Sequence, residues 1–165
     1  MTTKHEIILQ KEDRTNHNRS KFRKLARDVC REVFDIPEKN QVIFAYEKHY
    51  SKTILIGEIS FQLCDLSISY PGNSFDDEYY NVITFMFIKE DFQLQGIGRK
   101  LVKEALRQIQ NHDCVRTIRV QSAEGAVGFF EKLGFVKIGN PIETICGVSL
   151  FRKMQNMELK NINLV

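Results

Sequence analysis

Residues 92–99 read FQLQGIGR. They follow VITFMFI (82–88), a run apolar on both of its faces. They lead into RKLVKEALRQI (99–109), where Leu101, Ala105 and Ile109 recur at helical spacing with Val102 and Leu106 beside them. A strand apolar on both faces belongs inside a sheet. The helix after it presents unpaired N–H groups and the positive end of its dipole. Gly96 and Gly98 stand at the junction. Such a junction suits a phosphate or pyrophosphate, because the missing side chains let backbone amides approach the anion. Arg99 and Lys100 add positive charge there. Two nucleotide-binding loops are excluded: G-x-x-x-x-G-K-[ST] has no match, and G-x-G-x-x-G fails at Leu101.

Around this junction the chain reads as alternating elements. NHNRSKFRKLARDVCREVF (16–34) is predicted to be a helix with Phe22, Leu25, Ala26, Val29 and Val33 on its buried face. QVIFAYE (41–47) and TILIGEISFQL (53–63) read as strands, and PGNSFDDE (71–78) as an acidic turn-rich loop. The strand of the opening run is expected over 80–88 and its helix over 97–109. A strand over 115–122 and a helix over 126–133 follow, with Gly134 as the stop. FVKIG (135–139) and ETICGVSLFRKM (143–154) are expected to close the sheet as a hairpin. This order predicts an α/β mixed sheet with helices on both faces.

The 165 residues are enough for one domain with a core, and 42% hydrophobic with 27% charged residues is an ordinary soluble composition. No apolar run approaches the ~20 residues of a membrane helix. The first seventeen residues lack an apolar stretch with a small-residue cleavage site, so no signal peptide is expected. Cys30, Cys64, Cys114 and Cys146 form no CxxC pair, which suggests reduced, mostly buried thiols in the cytoplasm or nucleus. His5, His17, His49 and His112 are scattered, and no spacing points to a metal. A net charge of +3 does not argue for nucleic acid. The basic first helix (Arg19, Lys21, Arg23, Lys24, Arg27, Arg31) is interrupted by Asp28 and Glu32 and offers no aromatic stacking platform.

Gln93-Leu94-Gln95-Gly96-Ile97-Gly98 matches the acetyl-CoA loop Q/R-x-x-G-x-G/A in full. Residues 126–135 of SAEGAVGFFEKLGF (122–135) match A-x-x-[FY]-[FY]-x-K-x-G-F. Both motifs occur in the order and setting of the GNAT superfamily of N-acetyltransferases, which the chain resembles over about 82–135 by motif and elsewhere by element order. The resemblance implies a single domain over 1–165 with its motif-bearing core at about 54–152. It also implies a mostly antiparallel sheet splayed at its middle. The implied cosubstrate is acetyl-CoA, without a metal, and the implied reaction is direct acetyl transfer to a primary amine: a protein lysine, an N-terminus or a small molecule.

By the same resemblance, the amides of Leu94, Gln95, Gly96, Ile97, Gly98 and Arg99 ring the pyrophosphate, with Gln93 opening the loop. Met86, Phe87 and Ile88 pair with the pantetheine arm as an added strand. The helix at 126–133 flanks the thiol end, with Ala126 and Phe129 as contacts and Phe130 expected in the apolar wall around the thiol. Three family positions are altered. Val82 occupies the usual place of a base, Ala123 that of an Asn, and Phe129 and Phe130 that of a Tyr proton donor. None of these can move a proton, so the candidates become Tyr80 and Glu78, working through water. The acidic residues Asp76, Asp77 and Glu78 suit a cationic acceptor. The alternative is a catalytically weak acyl-CoA-binding module for interaction or sensing.

Overall fold

A computed structural model describes residues 5–73, 76–144 and 151–161. The elements are β1 (Glu6–Glu12), α1 (Asn16–Cys30), β2 (Asn40–His49), β3 (Lys52–Gln62), β4 (Asn81–Ile88), α2 (Ile97–His112), β5 (Ile118–Ala123), α3 (Val127–Lys132), β6 (Val136–Lys137), β7 (Ile142–Glu143) and β8 (Lys153–Leu159). The strands hydrogen-bond in the order β1-β2-β3-β4-β5-β8-β6, and β7 also pairs with β8. β4 and β5 run parallel, whereas β1–β2, β5–β8, β6–β8 and β7–β8 are antiparallel. This is the mixed sheet that the element order predicts, and mostly antiparallel as the resemblance implies.

Several boundaries depart from the sequence reading. β1 was not expected: EIILQKE is short, charged and only half-buried. α1 ends at Cys30 because Arg31 takes a left-handed conformation (φ 66°) while its N–H still bonds Arg27 O. Val33, placed by periodicity on the buried face, is therefore 51% exposed. β5 begins at Ile118 rather than Val115, because the Asp113 carboxylate accepts the N–H groups of Val115 (3.2 Å) and Arg116 (2.8 Å) and holds that segment as a turn. The helix expected over 126–133 splits into a 3-10 turn at Glu124–Ala126 and the short α3. Of the expected closing hairpin, 145–150, with Cys146, lies outside the described residues. The described β8 runs on to Leu159. Cys30 and Cys64 are buried as expected, but Cys114 is exposed.

The chain divides into two compact units, Met1–Ser60 with Phe85–Ala105, and Phe61–Thr84 with Leu106–Val165. In the first, α1 covers one face of the sheet: Phe22 meets Phe87 edge-on at 6.0 Å, and Phe34 lies 5.0 Å from Phe85. α2 covers the other face. A Cβ at Gly57 would come within 3.0 Å of Ile88 and 3.2 Å of Leu101, so the helix approaches β3 where the side chain is missing. In the second, Ile118, Val120, Met157 and Leu159 of β5 and β8 are buried with Phe130 and Phe135. A polar knot holds its lower end. Asn81 accepts the Cys64 N–H (2.9 Å) and donates to Asp113 (3.3 Å), and the Cys64 thiol also faces Asp113 (3.7 Å). Burial first, and the Asp113 charge second, push this thiol above its ordinary pKa.

One buried carboxyl group stands out in the first unit. Glu58 on β3 is fully enclosed, and neither of its oxygens has a hydrogen-bond partner among the described residues. Burial pushes its pKa up to about 10, against the opposing pull of Lys21. In the unfolded chain the same carboxyl ionises near its ordinary 4.5. Between these values the folded state binds the extra proton, so this group costs stability as pH rises, by up to about 1.4 kcal/mol per unit. Glu58→Gln keeps the shape and removes the ionisation. Urea unfolding at a series of pH values from about 5 to 8 should show the variant gaining on wild type as pH rises, by roughly 1–3 kcal/mol near neutrality. An identical pH slope for the two proteins would show that Glu58 reaches water or a partner.

Candidate functional site

The junction after β4 is built by backbone bonds and two glutamines. Phe85 N–H donates to Ser60 Oγ (3.2 Å), and Lys89 N–H donates to Ile56 O (2.8 Å). Residues 85 and 89 therefore both point toward β3. Alternation along a strand sends the backbone groups of Met86 and Ile88 to the opposite edge. The ladder with β5 covers only Asn81–Ile118, Val82–Arg119 and Ile83–Val120. Met86 and Ile88 thus lie beyond its last pair. A 3-10 turn at Glu90–Phe92 then reverses the chain. Gln93 Nε2 donates to Ile88 O (3.0 Å) and Gln95 Nε2 to Asp91 O (3.1 Å), folding both side chains back on the loop.

Leu94 (φ 62°) and Gly96 (φ 81°) are both left-handed. Such turns gather successive N–H groups into a concave anion-accepting nest. The strain at Leu94 is not repaid by packing, because its side chain is fully exposed (106%). Lys100 N–H bonds Gly96 O (3.1 Å), so the helical bonds begin here and the amides just before Lys100 are those a helix start leaves without helical acceptors. A Cβ at Gly96 would meet nothing within 4 Å. The glycine is needed for its backbone angle, and the space above it is open. Gly98 is already within α2. Open space, a left-handed pair, a helix start and the exposed cations Arg99 and Lys100 together fit a pyrophosphate. Met86, Phe87, Ile88 and 93–99 are thus brought together in the first unit.

Tyr80, Glu78, Ala126 and Phe129 belong to the second unit. Tyr80 lies just before β4, half-buried. Its N–H donates to Asp76 O (3.0 Å), its ring meets Tyr79 at 4.9 Å, and the Arg119 guanidinium lies 4.3 Å above it. Arg119 is buried and paired with Glu158 (3.1 Å). Glu78 is exposed, and its carbonyl accepts the Asp65 N–H (2.7 Å). The acidic loop uses Asp76 on itself: its carboxylate accepts N–H groups of Gly72 (2.7 Å), Glu78 (3.0 Å) and Tyr79 (3.4 Å). These bonds, Gly72 foremost, hold it below the usual carboxylate range. Phe130 is buried (4%) against Phe135, while Phe129 and Ala126 are half-buried.

Three of the six cations of the first helix are paired internally: Arg19 and Arg23 reach Asp35 (2.6 and 3.6 Å), and Lys21 reaches Glu12 (3.3 Å) and the Tyr46 hydroxyl (2.5 Å). Lys24, Arg27 and Arg31 are exposed. Among the described residues, no group of three or more His, Cys, Asp or Glu could hold a metal ion, and no helix is long and apolar enough to cross a membrane. The sequence reading missed Glu58, Ser60, Arg116 and Arg119. A charged residue inside the apolar run of β3 was the one visible signal, at Glu58.

Comparisons with known proteins show the family and the fold. The family model for the acetyltransferase (GNAT) domain matches residues 12–155. No curated protein matches the sequence. Among solved structures, the ribosomal-protein-S18-alanine N-acetyltransferase of Escherichia coli superposes with a TM-score of 0.66 at 12% identity, covering 93% of this chain and 94% of the other. A spermidine N-acetyltransferase of Vibrio cholerae gives 0.66 at 14% identity over 96% of both chains. A chain of the NatC complex bound to Gag peptide and CoA gives 0.68 at 17%, covering 94% and 98%.

The loop geometry makes a direct prediction. Gly96→Ala forces an alanine into the left-handed region with no clash to relieve, so the cost is conformational alone, about 1–2 kcal/mol. Urea unfolding measures it. A variant as stable as wild type would mean that the loop does not hold this backbone angle.

Proposed function

The chain belongs to the GNAT acetyltransferase family, and on that premise we propose that it transfers an acetyl group from acetyl-CoA directly to a primary amine. The observation that carries this reading is the nest at 94–99 following a strand edge that has outrun its ladder. Acetyl-CoA, when bound, supplies the acetyl group and a thiol as leaving group. The amides of Leu94 to Arg99 would hold the pyrophosphate, with Gln93 fixing the loop to Ile88. The edge of Met86 and Ile88 would pair with the pantetheine arm, with Phe87 between them turned to β3 and buried, and Ala126 and Phe129 would flank its thiol end. The Met86 N–H, aimed away from β3, would polarise the thioester carbonyl.

The amine has to lose a proton before it can attack. Val82 and Phe130 cannot accept one, so Tyr80 is the candidate relay through water, with Glu78 as an exposed anion near the same loop. The structural neighbours are named for acceptors as different as a ribosomal-protein alanine and spermidine, so the fold does not narrow the amine. The acidic loop supports a cationic acceptor less than its composition suggests, because Asp76 is engaged by backbone N–H groups. Val82, Phe129 and Phe130 favour a second reading, an acyl-CoA-binding module with little activity. Thiol release from acetyl-CoA with a panel of primary amines separates the two readings: an enzyme releases thiol faster with at least one amine, and a module with none.

Two variants test the assignments. Gly98→Glu puts a carboxylate in the first turn of α2, where the pyrophosphate is expected, and should sharply weaken acetyl-CoA binding in calorimetry. Unchanged affinity in a folded variant would remove the loop from the site. Tyr80→Phe keeps the ring and deletes the hydroxyl. The transfer rate should fall by up to about 10²–10⁴-fold with little change in acetyl-CoA affinity. A wild-type rate would leave the proton to bulk water.

A further inference from the structure

Arg116 lies in the turn before β5, outside both motifs. Its guanidinium donates through Nη1 to Asp65 O (2.8 Å) and Tyr79 O (3.1 Å), and through Nη2 to Ile68 O (2.6 Å). The same group lies 4.3 Å from the Tyr79 ring. One side chain thus grips both ends of the β3–β4 connection, Asp65 and Ile68 leaving β3 and Tyr79 entering β4. Its own backbone is fixed, because Arg116 N–H donates to Asp113 Oδ2 (2.8 Å). Three carbonyls held by one planar fork is a geometry that guanidinium supplies and an ammonium does not.

The Tyr79 carbonyl belongs to the peptide that joins Tyr79 to Tyr80. The N–H of that peptide donates to Asp76 O (3.0 Å). Both sides of the plane that carries Tyr80 are therefore tied down, one of them by Arg116. Above it, Arg119 and the Tyr79 ring set the orientation of the Tyr80 ring at 4.3 and 4.9 Å. A surface loop needs no such restraint for its own sake. Both tyrosines of this peptide are half-buried; Tyr79 lies under Arg116 itself, and Tyr80 is held between the Tyr79 ring and Arg119.

We propose that Arg116 is a positioning residue for acetyl transfer: by holding the carbonyls of Asp65, Ile68 and Tyr79 it fixes the peptide from which Tyr80 reaches the reacting amine. This rests on the reading of Tyr80 as the proton relay. Loss of the grip should displace the hydroxyl and slow the chemical step without touching the 93–99 loop.

The test uses the full chain with acetyl-CoA and a panel of a lysine peptide, a peptide with a free N-terminus, spermidine and n-butylamine. Arg116→Lys, Arg116→Gln, Tyr80→Phe and the Arg116→Lys/Tyr80→Phe double variant are compared with wild type. Circular dichroism and the melting temperature establish that each is folded. Arg116→Lys should lower kcat by about 10–100-fold, the scale of a small misplacement, and Arg116→Gln at least as much. The calorimetric Kd for acetyl-CoA should stay within about twofold. Amide hydrogen exchange at Asp65 and Tyr80 should rise in both variants. The double variant should be no slower than Tyr80→Phe alone, because the two residues act through one hydroxyl.

Wild-type kcat in the Arg116 variants, beside a slow Tyr80→Phe, would overturn the proposal and leave the relay standing. Additive losses in the double variant would also overturn it. Tyr80→Phe at the wild-type rate, or no thiol release by wild type with any amine, would overturn the reading beneath it and this inference together.

Discussion

The parallel ladder between β4 and β5 lasts three residue pairs, Asn81–Ile118 to Ile83–Val120. β4 continues for five residues beyond it, still bonded on its β3 side at Phe85 and, just past its end, at Lys89. A strand interior cannot leave backbone groups unsatisfied without cost. The edge at Met86 and Ile88 therefore invites an outside partner, and the chain after it cannot continue as sheet. It turns through a 3-10 segment into left-handed residues and then into α2. The left-handed turn at 94–96, where we propose that an anion binds, follows from where that ladder stops.

The same constraint explains what must be rigid. If the edge of β4 is to stay aligned, its inner side has to be held firmly. Ser60 does this at Phe85, and aromatic packing does it across the face, with Phe22, Phe34, Phe85 and Phe87 forming one continuous cluster under α1. The placement of Glu58 on the same strand is costly. The enclosed carboxyl has no hydrogen-bond partner among the described residues, and burial holds it neutral.

Much of this was legible in the sequence because it is local. A run apolar on both faces can only be an inner strand, and Gly96 followed by a 3.6-residue apolar period gives the junction and α2. Other features depend on distant partners. Nothing near Arg31 announces the left-handed residue that ends α1, because no glycine marks it. Arg116 looks like any surface arginine until the fold brings Asp65, Ile68 and Tyr79 to it. β1 escapes a reading by pattern because charge interrupts its alternation, and only pairing with β2 from Glu6–Lys48 to Glu12–Val42 makes it a strand.

The loop at 93–99 imposes its demands on main-chain angles more than on side chains. Leu94 contributes only its φ, with its side chain wholly in solvent. Gly96 contributes an angle too, and the contacts expected of Leu94 to Arg99 are made by amides that every residue except proline possesses. Descendants of one ancestor can therefore replace nearly every letter around such a loop while the binding surface stays the same. Drift erases the text and spares the shape. A site made of backbone leaves a faint record in the alphabet, which is why kinship in proteins of this build is seen more readily by superposition than by spelling.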